Sequence, residues 1–80
     1  MMTEVVITRV VDARGSMCPG PLMAMIGAVQ EQKVGDVIAL YSGDTGSRTD
    51  IPLWVRKAGH ELLELKDHDG YAEFIILKKR

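Results

Sequence analysis

From Pro19 onward the apolar residues Leu22, Met25, Ile26 and Val29 fall at i, i+3, i+4 and i+7, which is the spacing of one helical face. Gln30 to Lys33 are polar and Gly35 stands just before Asp36, so the first helix is expected to end near Lys33. Upstream, Glu4 to Val11 is rich in β-branched residues and predicts a strand. Val5, Ile7 and Val11 form one alternating set and Val6 and Val10 the other, so the pattern does not choose a buried face. Downstream, Val37 to Ser42 is a nearly continuous apolar run of strand length, as expected of an interior strand. Strand, helix and strand in so short a stretch imply a parallel pair joined by a crossover.

Gly43 to Arg48 reads as a turn-rich loop, after which Ser47 or Thr49 can cap a second helix with Asp50 and Pro52 in its first turn. Ile51, Trp54, Val55 and Ala58 form the apolar side of that helix, and Gly59 suits its C-terminal end. His60 to Lys66 and Tyr71 to Lys78 are strand-like, and Asp67-His68-Asp69-Gly70 between them ends in a hairpin signal. The order β-α-β-α-β-β, with two one-sided helices, predicts a two-layer α/β sandwich: a mixed four-stranded sheet carrying both helices on one face. Residues 1–80 are read as one domain, without repeat, linker or low-complexity segment.

A chain of 80 residues buries only about 60% of its unfolded surface, which leaves room for a small core and one site. The formal net charge of −1 argues against nucleic acid as the main partner, since phosphate backbones demand a basic face. The N-terminal stretch has an early acid and no small-residue cleavage site, and no apolar run approaches the roughly 18 residues that span a bilayer. A soluble cytoplasmic monomer is expected.

The one cysteine, Cys18, lies in Gly15-Ser-Met-Cys-Pro-Gly-Pro-Leu22, between the first strand and the first helix. A single cysteine makes no internal disulfide, and no cysteine or histidine cluster has zinc-ligand spacing. Pro19 restricts its predecessor to extended backbone, which suits a helix N-cap, so Cys18 is expected at the cap with Pro19 at N1 and Pro21 at N3. The prolines would leave the Gly20 N–H as the free amide beside the sulfur, and that amide with the helix dipole would favour a thiolate. The competing reading is a small buried hydrophobe, the common fate of a free cysteine. Met17 and Met23 suit either adaptable protein contacts or the core, and Arg14, Arg48 and Arg56 could add positive potential for an acidic partner. His60 and His68 are possible bases for a thiol hydrolase, but each is more simply a solvated surface residue.

The pattern Asp12-x-Arg14-Gly15-x-x-Cys18-Pro19-x-Pro21, with Gly35-Asp36, Asp44, Asp50-Ile51-Pro52 and Gly59-His60-Glu61-Leu62, resembles the TusA/SirA-type sulfur carriers over nearly the whole chain. The resemblance implies a fold like the C-terminal domain of bacterial translation initiation factor three. It also implies that Cys18 carries sulfur as a covalent persulfide or thiosulfonate, with no other cofactor and no metal. Arg14, Gly15, Met17, Pro19, Gly20, Pro21, Arg48 and Arg56 are the candidate motif and docking residues around it. The implied donors are rhodanese-like proteins or cysteine desulfurases. The Cys-Pro-Gly-Pro-Leu-Met form is similar to versions linked to sulfur oxidation, whose acceptors are DsrE-type proteins; tRNA thiolation is the other relay implied. A nucleic-acid-binding or regulatory module on the same fold is the alternative, since fold does not fix function.

Overall fold

The computed structural model describes residues 6–17 and 19–80. Its elements are β1 (Arg9–Asp12), α1 (Gly20–Glu31), β2 (Val37–Ser42), α2 (Ser47–Lys57), β3 (Glu61–His68) and β4 (Tyr71–Leu77). The strands form one sheet in the order β1-β2-β4-β3, with β1 and β2 parallel and the β2–β4 and β4–β3 pairs antiparallel. The expected mixed sheet is therefore observed.

Both helices pack on one face of it. Met25, Ala28 and Val29 of α1 and Ile51 and Val55 of α2 share a core with Ile38 and Leu40 of β2 and Ala72, Phe74 and Ile76 of β4. These strand residues alternate, as a sheet with one helix-covered face requires. Phe74, Ile38, Leu40 and Ile76 of the two central strands are wholly buried, as are Met25 and Ile51 of the helices. In β1 it is Val11 that turns toward the helices, and Val10 points to the other face, which resolves the ambiguity of the sequence pattern. The predicted strand was longer: Glu4 and Val5 lie outside the described residues, and pairing starts at Arg9.

Several boundaries differ for local reasons. Helix α1 starts one position later than the proline pattern suggested, with Pro19 at the N-cap, Gly20 at N1 and Pro21 at N2. The extra position is a tight turn closed by the Gly20 N–H on the Met17 carbonyl at 2.8 Å, after which Pro19 O accepts the first helical bond from Met23 N–H at 2.9 Å. The buried stripe of α1 is Pro21, Met25, Ala28 and Val29, with Leu22 and Ile26 half-buried at its margin.

Neither Ser47 nor Thr49 caps α2. Short i to i−3 bonds from Ser47, Arg48 and Thr49 to Asp44, Thr45 and Gly46 wind the chain into the helix, and Gly46 is the N-cap. Ser47 is instead buried, its hydroxyl 2.9 Å from that of Ser42, which ties the end of β2 to the start of α2. Beginning so early, α2 carries Pro52 inside the helix rather than in its first turn. The hairpin is also tighter than expected. Asp67 and His68 remain in β3, and only Asp69 and Gly70 turn, with Gly70 at φ 87°.

Candidate functional site

The β1–α1 loop, the β2–α2 loop and the β3–β4 turn all lie at one edge of the sheet. The parallel β1–β2 pair sends residues 13–17 and 43–46 out at the same end, and the register that pairs Ser42 with Ala72 brings the Asp69-Gly70 turn beside them. Cys18 itself lies outside the described residues, so the site is built from its neighbours.

The loop into Cys18 is fixed at successive points. Ala13 is buried and its N–H donates to Tyr41 O at 2.8 Å; Ser16 N–H donates to Ala13 O at 3.1 Å. Gly15 reverses the chain with φ 91°, a conformation that favours glycine. Beyond it Met17 is 77% exposed, and Met23, one turn into α1, is 61% exposed, so neither methionine fills the core. Gly15, Ser16 and Met17 face Gly43, Asp44 and Thr45 across a shallow groove of about 320 Å3. A second groove of about 200 Å3 runs between the helices, lined by Leu22, Asp50, Leu53, Trp54 and Lys57.

The Gly20 amide is not free, since it closes the turn onto Met17. That expectation is corrected by the later helix start.

Arg14 lies over the helix-free face. Its guanidinium donates to both carboxylate oxygens of Asp12, at 2.8 Å each, and its backbone N–H donates to Asp12 Oδ1 at 3.1 Å. The same guanidinium sits 4.9 Å from the Tyr71 ring centre and 5.6 Å from that of Tyr41. Hydrogen bonds from Arg14 lower the Asp12 carboxyl to about 2, and the carboxylate in turn raises Arg14. His68 stacks on Tyr71 at 4.7 Å and places Nε2 2.8 Å from Glu73 Oε1. Arg48 stands at the start of α2, ion-paired with Asp67 of the hairpin.

The structure thus gathers Arg14, Gly15, Met17, Pro19, Gly20, Pro21 and Arg48 at one edge and leaves Arg56 apart. Arg56 is eight residues along α2 from Arg48, about 12 Å at the helical rise, and lines a different recess with Pro52, Val55 and His60. His60 sits at that far end beside Trp54, its Nδ1 accepting from Lys79 N–H at 3.1 Å. The histidines therefore have separate surroundings. The sequence reading missed Asp12, Tyr41 and Tyr71 as neighbours of Arg14, and also the part of the 43–45 loop in the groove; the signal available was the parallel β1–β2 pair, which sends both loops to one edge. Among the described residues no group of acids and histidines has a metal-binding arrangement, and no helix is long and apolar enough to cross a membrane.

Comparisons with known proteins agree with one another. The sequence profile described as sulfurtransferase TusA matches residues 9–78. A putative sulfur carrier protein of Archaeoglobus fulgidus is 52% identical over 69 residues, covering 86% of this chain and 94% of its own. The sulfur carrier protein TusA of Pseudomonas entomophila is 35% identical, over 98% of both chains. The crystal structure of a SirA-like protein from Desulfitobacterium hafniense superposes with a TM-score of 0.80 over 91% of this chain and all of that one; at 23% identity it bears on the fold alone. With the profile spanning every described strand and helix and a relative above half identity, this chain belongs to the TusA sulfurtransferase family.

Proposed function

We propose that the protein is a sulfur carrier in which Cys18 accepts sulfane sulfur from a donor protein and passes it to an acceptor. The observation that carries this reading is the placement of the family's only thiol in this chain, in Gly15-x-x-Cys18-Pro19-x-Pro21, beside residues that the fold leaves exposed at one edge. Relatives over the same span are named sulfur carrier proteins.

The chemistry asks little of the scaffold. The Cys18 thiolate attacks the outer sulfur of a donor persulfide, the donor's S–S bond breaks, and the donor leaves as a thiolate while Cys18 holds the persulfide. An acceptor thiolate then attacks the same outer sulfur and Cys18 departs as thiolate, so the exchange is redox-neutral and consumes no proton overall. Access and presentation matter more than an internal base, which agrees with the separate surroundings of His60 and His68. The exposed Met17 and Met23 offer an adaptable apolar rim for docking. Rhodanese-like proteins or cysteine desulfurases are the proposed donors and DsrE-type proteins the proposed acceptors, in a relay of sulfur oxidation.

The test is intact-protein mass spectrometry after incubation with a persulfidated rhodanese-like donor. One added sulfur, removed by reductant and lost in Cys18→Ser, is expected. An unmodified wild-type chain, under conditions that load a TusA relative, would overturn the reading.

A further inference from the structure

Arg14 is the cation nearest in sequence to Cys18, and the simplest role for it would be to attract an acidic partner. Its surroundings point elsewhere. Both carboxylate oxygens of Asp12 are taken up by the guanidinium, which leaves the arginine locally neutralised. Its planar face is spent on Tyr41 and Tyr71, whose rings lie 5.5 Å apart. Those tyrosines belong to the two central strands, and Asp12 ends the strand beside them, so the arginine is moored to three strands of the sheet.

The moored residue opens the turn from Ala13 to Ser16, and that turn leads into the cysteine. A flexible loop would offer the sulfur in many directions. A moored one offers it in few, which lowers the ordering cost when a partner binds.

We propose that Arg14 is a positioning residue which, held by Asp12 and stacked on Tyr41 and Tyr71, ties the turn of residues 13–16 to the ends of β1, β2 and β4 and sets how the loop entering Cys18 is offered to a partner protein. The role rests on the carrier reading only where transfer between proteins is the readout. Arginine suits it and lysine does not, because an ammonium cannot make paired bonds to a carboxylate while lying flat on a ring.

The experiment compares the full chain with its Arg14→Gln, Arg14→Lys, Asp12→Asn, Tyr71→Leu and Tyr71→Phe variants. Three rates are measured: amide exchange at Ser16, whose N–H donates to Ala13 O; sulfur transfer from a persulfidated rhodanese-like donor; and alkylation of Cys18 by iodoacetamide. Arg14→Gln, Asp12→Asn and Tyr71→Leu should each raise Ser16 exchange about tenfold and slow transfer by several-fold, while alkylation changes less than transfer does. Arg14→Lys should fail to restore either rate, and Tyr71→Phe, which keeps the ring, should retain both. A merely charged docking residue gives the opposite pattern, with Arg14→Lys restoring transfer and Asp12→Asn speeding it; that result overturns the proposal. If the wild-type chain takes up no sulfur, the carrier reading fails, and Ser16 exchange alone then decides whether Arg14 pins the loop.

Discussion

Gly15 and Gly27 allow one chemical change to be made in two backbone environments with opposite expected signs. A Cβ added at either position meets nothing within 4 Å, so steric clash drops out of both cases. Gly27 lies inside α1, where alanine is favoured over glycine by about 0.5–1 kcal/mol. Gly15 sits at φ 91°, where an L side chain costs about 1–2 kcal/mol. The smaller unfolded-state entropy of alanine returns about 0.4–1 kcal/mol of that. Gly27→Ala should therefore stabilise the domain and Gly15→Ala should destabilise it by roughly 1 kcal/mol, a separation on the order of 10 °C in Tm at this size. Urea titrations at constant m value measure both changes. Gly15→Ala at or above wild-type stability, or Gly27→Ala below it, would refute the reasoning.

Other consequences are equally direct. Lys78 Nζ donates to Val29 O at 2.7 Å and Gln32 O at 2.6 Å, satisfying carbonyls at the end of α1, so Lys78→Met should cost about 1–3 kcal/mol by thermal melting. Burial, and then Lys78 and Arg80, push His60 below its ordinary pKa, so its contribution is complete above 6.5 and lost as pH falls through the lowered value. Urea midpoints should accordingly drop between pH 7.5 and 5, where protonation also puts a hydrogen on the Nδ1 that accepts from Lys79; a flat profile would refute this. Asp12, lowered to about 2 by its bonds to Arg14, should keep the pair intact above 3.8 and release it only as pH falls through about 2. A carboxyl NMR titration with a midpoint near 4 would contradict that. Leu53, 47% exposed beside the groove between the helices, is a further docking candidate, and Leu53→Glu should slow sulfur transfer without lowering Tm.

What the sequence disclosed follows from how locally each feature is encoded. The Val37–Ser42 strand was legible to the residue because the nearly continuous apolar run between Asp36 and Gly43 is of strand length. Helix starts were less so. Pro19 fits the N-cap as well as N1, and the choice was made by the Gly20–Met17 bond, which residue types do not reveal. Ser47 looked like a cap, but a buried hydroxyl on β2 made a better partner. The motif around Cys18 was readable as a run of neighbours. The mooring of Arg14 was not, because it depends on a register that sets Asp12 beside Tyr41 and on Tyr71, which lies far along the chain.

The sheet also decides where the chain can be held. Thr8 bonds to Val37 at one end of the sheet, and at that same end Lys78 exchanges bonds with Gly35 and Asp36. Residues 13–17 leave from the other end. A fusion partner, a dye or a surface linker attached beyond Thr8 or beyond Lys78 would thus trail behind the domain while the cysteine loop faces forward, which suits the protein to immobilised binding assays and to grafting into longer chains.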